Sequence, residues 1–120
     1  MAGNFDGIKT RNFGIEIEMT GLTRCQAAKA LSGVLGGEVV HEGGTYDKYT
    51  VKDIKSRDWS IVYDGSINCY NANGDRASKS YSVEMNSPVL EYGDIPLLQE
   101  VVRALRKAVS YTHLTLPTIA

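Results

Sequence analysis

The sequence lacks the features that mark several large classes of protein. It has only two cysteines, Cys25 and Cys69, which are too few for a disulfide-rich domain and lack metal-site spacing. We expect both to be reduced thiols in a cytoplasmic protein, with a disulfide as the alternative. No apolar run approaches the roughly 20 residues that span a bilayer, and the N-terminus lacks the apolar centre of a secretory signal. The sequence therefore predicts no membrane partner.

An excess of charge of one sign is also missing. The formal net charge is -1 over 120 residues, so the composition gives no sign of a nucleic-acid partner. The hydrophobic content of 42% and charged content of 22% are typical of a soluble globular chain. This length suits one domain with a modest core. The oligomeric state stays open.

Two helices are predicted among several strands. Thr23 and Gln26 form a capping box before a helix that ends at Gly36, and Asp94 is expected to cap a second helix in "GDIPLLQEVVRALRKAV". Alternating segments indicate strands, in which we expect Trp59 to belong to the core. These segments are "FGIEIEMT", "EVVHE", "KYTVKD", "DWSIVYDG" and "YSVEMNSP". The order predicts an α+β fold with a mainly antiparallel sheet backed by helices.

The first strand places two carboxylates on one face. In "NFGIEIEMTG", apolar residues alternate with polar ones, and Glu16 and Glu18 fall on the polar side without a Lys or Arg. Half-exposed strands often carry such a solvated acidic face, which is the simpler interpretation. Neighbouring like charges repel, however, and a divalent cation such as Mg²⁺ would relieve the repulsion.

Two later segments add acidic side chains. Asp64 and Ser66, in "YDGSI", lie where a strand gives way to a turn, and turn chemistry alone is the alternative explanation. Glu84, in "SVEMNSP", lies on the polar side of another strand. If the three strands share a sheet face, Glu84 converges with Glu16 and Glu18, and Asp64 lies at the rim.

Four segments, taken in order, resemble the amidoligase family. They are "FGIEIEMTGLTRCQAAKAL", "WSIVYDGSI", "SVEMNSPVL" and "DIPLLQEVVRALRKA". That family is related to the carboxylate–amine ligases, which have a glutamine-synthetase-like catalytic fold. The resemblance implies an ATP-dependent ligase that forms an amide or peptide bond through an acyl-phosphate intermediate, with ATP and Mg²⁺ as cofactors.

The resemblance also implies roles for individual residues. By motif position, Glu16, Glu18 and Glu84 would bind the metal and, through it, the nucleotide. Asp64 and Ser66 match a D-G-S segment and would be catalytic residues near the substrate or amine. The implied partners are a small-molecule or peptide carboxylate and an amine.

The end of the chain departs from the family pattern. A Gly-Ile-His-Val-His-type strand is expected there, but the chain reads "SYTHLTLPTIA". We expect residues 12–109 to be the N-terminal part of a truncated catalytic domain, inactive by itself, and residues 110–120 to be a non-native read-through tail. A genuine final strand is the alternative for the tail.

Neither histidine supports a metal-dependent hydrolase. His113 is not in an H-x-H setting, and His41 is expected to be an exposed loop residue. A water-activating His cluster is therefore missing from the sequence. The alternative from a different class is a small non-catalytic α+β binding or interaction module whose acidic face is solvated.

Overall fold

A computed structural model of the chain describes residues 11–109 and the backbone of residues 118–119. The strands are β1 (Glu16–Met19), β2 (Val39–Gly43), β3 (Lys48–Lys52), β4 (Asp58–Val62), β5 (Val83–Asn86) and β6 (Thr118–Ile119). The α-helices are α1 (Arg24–Leu35) and α2 (Ile95–Ala108), and short 3₁₀ helices cover Lys79–Tyr81 and Tyr92–Asp94. No helix in this part of the chain has both the length and the apolar character needed to cross a membrane.

The strands form one antiparallel sheet in the order β2-β3-β4-β5-β1-β6. This arrangement confirms the predicted α+β fold, while the glutamine-synthetase-like relation stays a prediction. Strand β6 contributes two residues, which pair with Ile17 and Glu18. The remaining positions of the predicted tail, 110–117 and 120, lie outside the described residues, so the limits 12–109 and 110–120 also stay predictions.

Helix α1 begins and ends where the sequence predicts. The Thr23 hydroxyl accepts a hydrogen bond from the Gln26 backbone N–H at 3.2 Å, and the Gln26 side-chain oxygen accepts one from the Thr23 N–H at 2.8 Å. This reciprocal pair satisfies amide groups that have no partner inside the helix. At the other end, Gly36 has a left-handed φ of 85°, and its N–H donates to the Ser32 carbonyl.

Both helices belong to a core that lies on one face of the sheet. Trp59 is fully buried there, as predicted, and its indole N–H donates to the Asp53 carboxylate at 2.9 Å. The fully buried side chains of the sheet and the helices include Ile17, Leu31, Val51, Trp59, Ile61, Met85 and Leu105. Since successive strand residues point to opposite sides, the polar residues between them lie on the other face, which we call the open face.

Asp94 is the N-cap residue of α2, as the sequence predicts, but its side chain has a different role. Its carboxylate makes no capping bond to α2. It accepts two hydrogen bonds from the Arg57 guanidinium, at 2.8 and 3.0 Å, and one from the Glu91 backbone N–H. Arg57 also donates to Asp53 at 2.8 Å. The bidentate guanidinium–carboxylate contact adds fixed geometry to charge-assisted hydrogen bonds, and it joins the β3–β4 turn to the start of α2.

Candidate active site

The register of β1 and β5 places the predicted glutamates on the open face. Ile17 is opposite Met85, and both are buried in the core. Glu18 is directly opposite Glu84, and Glu16 is opposite Asn86. Directly opposed residues of antiparallel strands point to the same side. The three predicted glutamates therefore share one face, as the metal-site hypothesis requires.

Asp64 joins two of these glutamates. It lies two residues beyond Val62, which is opposite Glu84 on the neighbouring strand. Carboxylate oxygens of Glu18, Asp64 and Glu84 all lie within 4.8 Å of one another, and each residue is half-buried. We call these three residues the acidic cluster. Glu16 is outside it, because it lies one row, about 7 Å, further along β1.

The pKa values of Glu84 and Asp64 are shifted in opposite directions. The pKa of Glu84 is raised, first by burial and then by the neighbouring Asp64 and Glu16 carboxylates, although the Asn86 side-chain amide donates to Glu84 at 2.9 Å and opposes the shift. The pKa of Asp64 is lowered, chiefly by hydrogen bonds from Ser66. Glu84 thus retains a proton more readily than Asp64, whose ionised form the Ser66 hydrogen bonds favour.

Ser66 holds Asp64 in place from the turn. Its backbone N–H and its hydroxyl both donate to one Asp64 carboxylate oxygen, at 2.9 and 2.7 Å. This is the turn chemistry that the sequence offered as an alternative, and it also stabilises the ionised form of Asp64. The buried Ser82 fixes the Asp64 backbone, since its hydroxyl accepts from the Asp64 N–H and donates to the Asp64 carbonyl. Ser82 begins the quoted segment "SVEMNSPVL", but no local pattern indicates its contact with Asp64, 18 residues away, so its role was not predicted.

A cavity of about 400 Å³ opens beside the acidic cluster. Its lining residues are Tyr46, Val62, Tyr63, Asp64, Gly65 and Glu84. Tyr46 is 63% exposed and comes from the β2–β3 turn, where the Tyr63 N–H donates to its carbonyl at 2.9 Å. The sequence marks this segment only as a turn, so the tyrosine was missed. The cavity combines aromatic and aliphatic walls with two carboxylates.

A charged network fixes the turn that carries Tyr46. The Asp47 carboxylate accepts from the Arg24 guanidinium at 2.8 Å and lies 2.6 Å from His41 Nε2. The pKa of Asp47 is lowered, with the His41 contact as the largest cause. His41 lies in β2 instead of the expected loop, and its ring stacks on Tyr49 with centroids 4.1 Å apart. Arg24 and Asp47 are 23 residues apart, so no local pattern predicts their pairing.

These observations define an α+β protein with an acidic site on an open sheet face. Comparison with known families then gives the particular family. Residues 9–113 match the family described as "Putative amidoligase enzyme", so the chain belongs to that family. The match includes every predicted site residue and confirms the resemblance in the sequence. Comparisons with curated proteins and with solved structures gave no match.

Proposed function

We propose that this protein is an ATP-dependent carboxylate–amine ligase whose acidic face binds Mg²⁺. The observation that carries the proposal is the convergence of Glu18, Asp64 and Glu84 from three separate segments of an amidoligase-family chain. In the proposal, Glu16, Glu18 and Glu84 hold the cation, and Asp64 with Ser66 serves the substrates. The sequence predicted the same roles.

The chemistry of these donors suits a hard divalent cation. Carboxylate oxygens are the ligands that Mg²⁺ prefers. The raised pKa of Glu84 reflects first its burial and then the neighbouring Asp64 and Glu16 carboxylates, and a bound cation would favour the ionised form against both effects. Such a cation would neutralise negative charge on the phosphates of ATP and on the transferring group.

The proposed reaction has two bond exchanges. An oxygen of the substrate carboxylate attacks the γ-phosphorus of ATP, and ADP leaves, which produces an acyl phosphate. The amine nitrogen then attacks the acyl carbon, and phosphate leaves with the electrons of the C–O bond. The ionised Asp64 carboxylate faces the cavity and is proposed to accept the proton that the amine loses.

Metal binding tests this proposal more directly than turnover does, because the sequence contains no H-x-H segment of the kind that the family pattern calls for. Mn²⁺ binding can be measured by isothermal titration and electron paramagnetic resonance on the wild type, Glu84→Gln and Glu100→Gln. Glu100 is an exposed glutamate on α2 and provides the matched control. We expect Glu84→Gln to weaken Mn²⁺ binding at least about tenfold, the scale on which metal sites respond to altered partners.

The pH dependence gives a second readout. Because Glu84 must lose its proton to bind a cation, wild-type affinity should rise with pH, and Glu84→Gln should flatten that rise. Equal Mn²⁺ affinity in all three proteins would contradict the proposal and favour a non-catalytic module with a solvated acidic face. The inactivity of this chain by itself stays a prediction.

A further inference from the structure

The Arg24 side chain joins the segments that surround the cavity beside the acidic cluster. It extends from the first residue of α1 and is 12% exposed. Its Nε donates to the Asp47 carboxylate at 2.8 Å, and its Nη1 donates to the backbone carbonyls of Lys79 and Ser82, both at 2.8 Å. Its Cζ lies 5.5 Å from the centre of the Tyr63 ring. One guanidinium therefore contacts the β2–β3 turn, the residue after β4 and the segment before β5.

Two of these contacts fix the aromatic wall of the cavity. The Asp47 contact holds the turn of Tyr46, whose carbonyl accepts a hydrogen bond from the Tyr63 N–H at 2.9 Å. The Arg24 guanidinium covers the Tyr63 ring in a cation–π contact. Since Tyr46 and Tyr63 both line the cavity, the shape of its wall depends on Arg24.

The Ser82 contact reaches the Asp64 backbone. Ser82 is 1% exposed, and its hydroxyl accepts from the Asp64 N–H at 2.9 Å and donates to the Asp64 carbonyl at 2.6 Å. Because Arg24 holds the Ser82 carbonyl, a single residue links the guanidinium to Asp64. The Asp64 carboxylate lies within 4.8 Å of those of Glu18 and Glu84, so a shift of its backbone would separate it from them.

From these contacts we infer that Arg24 is a positioning residue of the proposed ligase. It acts on Asp64 through Ser82, and on the cavity wall through Asp47 and Tyr63. A guanidinium suits this role, because its planar fork donates in fixed directions while its flat face stacks on an aromatic ring, whereas a lysine ammonium is a point charge without such a face. The inference rests on the proposed function, since only that function gives Asp64 a substrate to serve. The simpler alternative is that Arg24 stabilises the fold and has no specific effect on the site.

Amide hydrogen exchange of the metal-free protein tests the positioning. Arg24→Lys should accelerate exchange of the Tyr63 and Asp64 amides at least about tenfold, the scale of one hydrogen bond to a charged group. The amides of the buried Ile61 and Met85 report opening of the whole sheet, so their exchange rates should change much less. Selective acceleration separates a local release of the cavity from a general loss of stability.

Two further variants complete the comparison. Asp47→Asn removes the charged partner in the turn and leaves the contacts to the backbone carbonyls, so it should accelerate the Tyr63 amide but not the Asp64 amide. Lys29→Ala removes an exposed cation from the same helix and should match the wild type at both amides. Asp47→Asn also tests the inference if Arg24→Lys does not fold, and a wild-type Tyr63 rate would then overturn it.

Bound Mn²⁺ gives a readout that fold stability alone does not change. Mn²⁺ broadens nuclear magnetic resonance signals steeply as the distance decreases, so the Ser66 amide reports the turn of Asp64 and the Met19 amide reports β1. At low Mn²⁺ occupancy, the ratio of the two broadenings does not depend on affinity. In Arg24→Lys we expect the ratio of Ser66 to Met19 broadening to fall, because the turn is no longer held against the glutamates.

Several outcomes for Arg24→Lys would overturn the inference. They are wild-type exchange of the Tyr63 and Asp64 amides, an acceleration of these amides no greater than that of the buried strand amides, and an unchanged broadening ratio. If Mn²⁺ binding still depends on Glu84 in those cases, only the role of Arg24 fails. If instead exchange accelerates selectively while Mn²⁺ binding is insensitive to Glu84, the proposed ligase function fails and Arg24 remains the residue that organises the cavity.

Discussion

Removal of the Arg57 side chain should destabilise the fold far more than removal of an exposed lysine in the same hairpin. Arg57 is 21% exposed, while the Asp53 and Asp94 side chains that it joins are 1% and 5% exposed. Arg57→Ala would leave the buried Asp53 carboxylate without its cation and the buried Asp94 carboxylate with only the Lys55 ammonium group, at 3.5 Å. Breaking a buried pair in this way costs about 3–5 kcal/mol.

The control is Lys52→Ala. Lys52 and Asp58 form an ion pair with side chains 61% and 59% exposed, so its loss should cost about 0–1 kcal/mol. Urea denaturation followed by fluorescence of the single, buried Trp59 measures both variants. With a slope of about 1.5 kcal/mol/M, Arg57→Ala should lower the urea midpoint by about 2–3 M. Equal midpoint shifts for the two variants would refute the reasoning.

The same network should control acid stability. The pKa values of Asp53 and Asp94 are both lowered in the fold, for Asp94 chiefly by Arg57. A lowered carboxyl pKa adds stability above the unfolded value of about 3.9, and that stability disappears as pH falls through the folded pKa. The wild type should therefore lose more stability than Arg57→Ala between about pH 5 and the acid limit. Parallel pH profiles would show that Arg57 does not set these pKa values.

Three further changes have definite expected results. Thr23→Ala removes the α1 cap and should cost about 1 kcal/mol in urea denaturation, and an unchanged midpoint would contradict the capping box. Gly37→Ala drives a Cβ into the Lys52 carbonyl and should unfold the chain or lower its melting temperature sharply, whereas a melting temperature within a degree or so of wild type would rule out that contact. Glu84→Gln should increase the stability of the metal-free protein at neutral pH. Because the folded pKa of Glu84 is raised, Glu84 contributes to the free energy of unfolding below its unfolded pKa of about 4.3. That contribution disappears as pH rises through the folded pKa, so a neutral glutamine is favoured at pH 7. A less stable Glu84→Gln protein at pH 7 would contradict that sign.

Local sequence patterns predicted the parts of the fold that depend on local contacts. Alternation in β1 predicted the common face of Glu16 and Glu18, and the capping box predicted the start of α1, because both signals act within a few residues. The buried position of Trp59 followed from its strand-mates in the same way. These features need no knowledge of what lies across the sheet.

The remaining parts depend on partners far away in the chain. Asp94 binds Arg57, 37 residues away, in preference to the capping role that its local sequence indicates. In the acidic cluster, Asp64 adjoins Glu84 because the pairing of β4 with β5 continues to that point. A long loop separates β4 from β5, and no single segment determines how the two strands pair. The sequence therefore predicts that Asp64 lies near the glutamates only if the strands share a face, and the distances among Glu18, Asp64 and Glu84 come from the structure.

The most direct test of the account is a pH titration of the Glu84 side-chain carboxyl by carbon-detected nuclear magnetic resonance, with and without Mg²⁺. We predict a pKa above the usual glutamate range in the metal-free protein, a large decrease when Mg²⁺ is added, and simultaneous shifts of the Glu16 and Glu18 carboxyl signals. A Glu84 titration that is identical with and without millimolar Mg²⁺ would contradict the claim that these carboxylates together bind a divalent cation.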